Sequence, residues 1–121
     1  MKARESALTL KRFEADEKAR KVADLEQMIR AFENMAAALD RQVNAEEDRT
    51  GTKDPAHFAY STFAKSASLR RDNLRTSADG LRAKLEAAQR ERDEILEQVA
   101  RAETSETRAQ LRSRSPYWAL R

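Results

Sequence analysis

Between Val22 and Val43 the apolar residues Val22, Leu25, Ile29, Phe32, Ala36, Leu39 and Val43 recur at alternating steps of three and four. This is the seam of a heptad repeat, an α-helix that buries a narrow stripe against another helix. The residues between them are mostly Asp, Glu, Gln, Arg, Asn and Ala, which keep the rest of the helix polar and strongly helix-forming. Counting back by heptads puts Lys18, Ala15, Lys11 and Leu8 on the same stripe, where the lysine stems can lie along the seam while their ammonium groups reach water. The pattern predicts a first helix over residues 2–49, on the order of 70 Å long.

A second seam supplies the partner. Tyr60, Ala64, Ala67, Arg71, Leu74, Ala78, Leu81, Leu85, Ala88, Arg92, Ile95, Val99 and Ala102 follow the same spacing, and predict a second helix over 55–104. Between the two lies Thr50-Gly51-Thr52-Lys53-Asp54-Pro55. Gly51 suits the left-handed residue that ends a helix, Asp54 is expected to cap the next one, and Pro55 is placed in its first turn. A loop over 50–54 between long helices implies an antiparallel hairpin. Folding there sets Ile29 against Leu81, Leu25 against Leu85, Ala36 against Leu74 and Phe32 against Ala78, with a shift of one heptad left open. Arg71 and Arg92 interrupt the second seam, and are expected to snorkel or to pair with acids of the first helix.

The fold expected is therefore all-α, two long helices in an antiparallel coiled-coil hairpin over 1–104, followed by a fraying or flexible basic tail over 105–121. Its core is assigned to Val22, Leu25, Ile29, Phe32, Leu39, Val43, Leu74, Leu81, Leu85, Ile95 and Val99. Composition agrees: of 121 residues 37% are charged, and there are two Gly and two Pro, which favours long helices over a multilayer fold. The net charge of +3 comes from interspersed acids and bases, as on a solvated coiled-coil surface.

Chemistry is sparse. The chain has no cysteine, so disulfides and thiolate metal sites are excluded, and the single histidine, His57, is expected as a surface residue in the first turn of the second helix. No phosphate-binding glycine loop and no metal-ligand spacing occurs, so no catalytic, cofactor or metal site is assigned. The N-terminus lacks the apolar run of a signal peptide and no stretch approaches a membrane span, so a cytoplasmic protein, peripheral to a membrane at most, is expected.

The apolar residues that miss the seam are the candidate partner contacts: Leu10 and Phe13 on the first helix, Phe58 and Leu69 on the second. Met28, Met35 and Phe63 flank the seam. Trp118, in the basic tail beside Pro116 and Tyr117, is the candidate anchor of a short docking peptide, or else folds back on the hairpin.

Two stretches, LKRFEADEKARKVADLEQMI and DPAHFAYSTFAKSASLRRDNL followed through residue 104, resemble alphaproteobacterial members of the FliJ family of the flagellar type III export apparatus. The tail from Ser105 lies outside the likeness. The resemblance implies a two-helix antiparallel stalk that enters the hexameric ring of the export ATPase and contacts the export gate, with a role towards export chaperones. It implies a cytoplasmic component associated peripherally with the inner membrane at the flagellar base, monomeric when alone, whose hydrolytic chemistry belongs to the ATPase. By that analogy the open end, roughly 3–13 and 95–111, enters the ring, and the face around Leu69, Asn73 and Thr76 meets the gate. Other functions compatible with the pattern are a coiled-coil adaptor or homodimer, and a nucleic-acid or acidic-membrane binder working through Arg108, Arg112, Arg114 and Arg121.

Overall fold

The computed structural model describes residues 2–114. It consists of two long helices packed against each other in an antiparallel hairpin, α1 (Lys2–Thr50) and α2 (Thr62–Arg114). The chain divides into two compact units: Asp24–Leu85, which holds the connection, and Met1–Ala23 with Glu86–Arg121.

α1 ends as its sequence dictates. Gly51 adopts φ 75°, and its N–H donates to the Glu47 carbonyl at 2.8 Å, closing the last turn. The start of α2 differs from the expectation: the helix begins at Thr62, seven residues after Pro55, and His57 lies in the connection. Asp54 caps a turn instead of a helix. Its Oδ1 accepts from the Ala56 N–H at 2.9 Å and its carbonyl from the His57 N–H at 3.0 Å. Pro55 thus occupies the second position of a turn, where its fixed φ is equally at home. A further turn links the Tyr60 N–H to the His57 carbonyl at 3.0 Å. The N-cap of α2 is Ser61, whose Oγ accepts from the Ala64 N–H at 3.2 Å. At the other end α2 runs on to Arg114, ten residues beyond the expected boundary at 104. Ala102, Glu106 and Ala109 continue the heptad spacing there and stay half-buried, so the seam does not fade where the apolar side chains do. Of the expected flexible tail, residues 115–121, Trp118 included, lie outside the described part.

In the Asp24–Leu85 unit the core gathers Leu39, Val43, Ala64 and Ala67, with Tyr60 and Leu74 packed against them. Leu25, Ile29, Ala36 and Ala78 are buried as well, while Phe32, Leu74, Leu81 and Leu85 are half-buried. The buried residues of α2 here are alanines, which lets the helix backbones approach closely and leaves little volume to fill. In the other unit Leu8, Ala15 and Val99 form the core, with Ile95 and Ala102 against it, and Val22 is also buried. Lys11 and Lys18, on the stripe of α1, reach out of it: the Lys11 ammonium donates to Gln98 Oε1 at 3.0 Å and Lys18 pairs with Glu91 at 3.1 Å.

Lettering each heptad a to g, with Val22 and Ala64 as a, gives the register. In the Asp24–Leu85 unit Glu33 pairs with Arg82, and Asp40 with Arg75. All four are e positions, and a step of seven forward on α1 matches a step of seven back on α2. This is the register in which Ile29 faces Leu81 and Ala36 faces Leu74. A slip of one heptad would set Asp40 opposite Ser68 but would bring Glu33 to Arg75 and Glu26 to Arg82, so these pairs mark the register and do not by themselves enforce it. The Arg12–Glu103 contact of 3.9 Å in the other unit also joins e positions.

Gly80 lies in the interior of α2, exposed, with open space where a side chain would stand. Gly80→Ala is therefore expected to stabilise the chain by about 1 kcal/mol, the helix-propensity difference, as a higher melting temperature by circular dichroism.

Candidate partner-binding surfaces

The two seam arginines find different solutions. Arg71 Nη1 donates to Asp40 Oδ1 at 2.7 Å, and a second contact to Asp72 at 3.1 Å holds its other side. Asp40 Oδ2 accepts from Arg75 Nη2 at 2.6 Å, so this carboxylate joins Arg71 and Arg75. Arg92 instead pairs within α2, with Asp93 at 3.0 Å. The hydrogen bond from Arg71 holds the Asp40 carboxyl below its ordinary pKa of 3.8, outweighing the opposing effect of burial, and the same bond raises the pKa of Arg71. A depressed carboxyl pKa contributes stability that is present above the ordinary value and lost as pH falls through the lowered one. Asp40→Asn is therefore expected to cost about 1 kcal/mol at neutral pH, a small figure because water screens the pair. The difference between variant and parent should close as urea titrations are repeated below pH 4.

The connection carries Phe58, 96% exposed and stacked on His57 with ring centroids 4.6 Å apart. His57 Nδ1 accepts from the Ala59 N–H at 3.0 Å, a local turn contact that leaves the ring on the surface. Tyr60 ties the connection to α1 by donating its hydroxyl to Glu47 at 2.6 Å, and the bond to this carboxylate raises the phenol pKa.

The outward residues fall on separate patches. Leu10 and Phe13, both more than half exposed, share a shallow groove on α1 with Glu5, Ser6 and Thr9. Leu69 sits in a shallow groove on α2 between Thr62, Lys65, Ser66, Ser68 and Asp72, and Asn73 and Thr76 are exposed further along that helix. Phe58 joins neither patch. Leu96 and Leu111 are also exposed; at an e and an f position both miss the seam, so the count that singles out Phe13 and Leu69 could have found them. A charged groove lined by Glu33, Ala36, Ala37, Asp40, Arg75, Ala78, Asp79 and Arg82 runs along the e flank of the Asp24–Leu85 unit. Glu33 and Asp40, which organise it, sit at the same heptad position on α1, so e-position spacing was the signal that could have found them.

Among the described residues no cluster of His, Cys, Asp or Glu could hold a metal ion, and no helix is long and apolar enough to cross a membrane. The chain matches no family model, no curated protein and no solved structure.

Proposed function

We propose that this chain is a stalk-like component of the bacterial flagellar type III export apparatus, binding the ring of the export ATPase and the export gate and coupling ATP hydrolysis to protein export. The observation that carries the reading is the antiparallel two-helix fold, which is the architecture implied by the likeness of residues 1–104 to the FliJ family. A surface of exposed apolar side chains among charges supports it, since such a face makes contacts that form and release. In this reading the groove of Leu10 and Phe13, with Arg4, Lys11 and Arg12 nearby, meets the ATPase, and Leu69, Asn73 and Thr76 meet the gate. The chain performs no catalysis, works in the cytoplasm at the inner-membrane base of the flagellum, and is monomeric until it joins the apparatus; contact with export chaperones belongs to the same reading.

Co-sedimentation with the purified export ATPase of the same organism tests it. The chain is expected to pellet with the ATPase ring, and Phe13→Glu to weaken that binding about tenfold while circular dichroism stays unchanged. A chain that stays in the supernatant, or a Phe13→Glu variant that binds as well as the parent, goes against the reading.

A further inference from the structure

The two flanks of the Asp24–Leu85 unit are unlike. Between Met28 and Ala45 on α1 and between Phe63 and Lys84 on α2, the acids are Glu33, Asp40, Asp72 and Asp79. Each is held by Arg71, Arg75 or Arg82, and Glu33 and Asp40 stand at e positions while Asp72 and Asp79 stand at b, on the same side. On the e flank every acid is thus already engaged by an arginine of the hairpin itself.

The g flank carries no acid in this interval. On α1 it presents Met28, Ala31, Met35 and Ala38, which repeat at steps of three and four like a second seam. Met28 and Met35 are 45% and 49% exposed, and Ala31 is exposed. On α2 the same flank presents Phe63, Arg70, Ser77, Gly80 and Lys84. Phe63 is 54% exposed, and the exposed cations Arg70 and Lys84 have no ion-pair partner among the described residues. Gly80 weakens α2 where nothing in the hairpin needs a glycine, but a backbone approaching from outside would need it.

We propose that this flank is a docking face for an amphipathic, acidic helix of a partner protein. The heptad spacing of Met28, Ala31, Met35 and Ala38 matches the ridges of a helix, and methionine side chains adapt to the surface they meet. Arg70 and Lys84 select the charge of the occupant. A second copy of the chain is disfavoured by the same residues, because two such flanks face to face would set cations against cations with no acid between them. The proposal does not depend on the export reading.

The probe is a synthetic helix of about four heptads, with Leu and Ala on its seam and Glu on both flanking positions, fluorescently labelled. A twin peptide carries Lys in place of Glu. Anisotropy with the full chain is expected to show binding of the Glu peptide only, weakening as salt is raised. Arg70→Glu combined with Lys84→Glu should reduce that binding at least about tenfold. Gly80→Leu should abolish it while the hairpin melts no lower than the parent, which separates a blocked face from a lost fold. Binding of neither peptide, equal binding of both, or binding indifferent to these variants would overturn the proposal. So would a dimer in light scattering that Met35→Glu returns to monomer, since the occupant would then be a second copy.

Discussion

Replacing Leu39 with alanine is expected to lower the free energy of unfolding by about 3 kcal/mol. Leu39 is buried in the cluster with Val43, Ala64 and Ala67, and its truncation removes apolar contact and leaves a void beside alanines, which have no side chain able to move into it. The same change at Leu10, an exposed leucine on the same helix, should stay within about 0.5 kcal/mol of the parent. Urea titrations followed by circular dichroism measure both. Equal losses at the two positions would mean that α1 buries a different face from the one described.

The converse change, Ala64→Leu, is expected to cost about 2 kcal/mol by overpacking. Ala64 is fully buried, at 0% exposure, and its N–H is the one held by the Ser61 cap. A leucine there pushes α2 away from Leu39 and Val43 at the point where the connection fixes the chain, so relief by sliding is unavailable. If thermal melting instead shows Ala64→Leu to be neutral or stabilising, the helices are not as closely spaced as an alanine seam requires.

These two positions mark what the sequence could and could not tell. The seam was legible because heptad spacing has one physical cause: residues at a and d face the partner helix whatever their identity, so even Lys11, Lys18 and Arg71 stand where the count puts them. Register was left open to a one-heptad slip because alternating seams are nearly self-similar. The structure shows which register is adopted through the Glu33–Arg82 and Asp40–Arg75 pairs, but because Glu26 and Glu33 could serve the same arginines after a slip, charge spacing alone is as self-similar as the seam. The start of α2 was misplaced because Asp-Pro opens a helix and a turn equally well. The choice fell to Ser61, whose hydroxyl caps the first turn of α2. The partner surfaces were legible only as single residues out of phase. The apolar g flank needed both helices in register before Met28, Met35, Phe63 and the unpaired cations could be seen as one face.

The most direct test of the stalk reading is ATP hydrolysis by the purified export ATPase of the same organism, with and without this chain. Ring assembly is followed in parallel by sedimentation velocity. The account predicts faster hydrolysis together with a larger share of hexamer, and loss of both effects with Phe13→Glu. An unchanged rate and an unchanged distribution of assemblies, with the added chain fully helical, would contradict it.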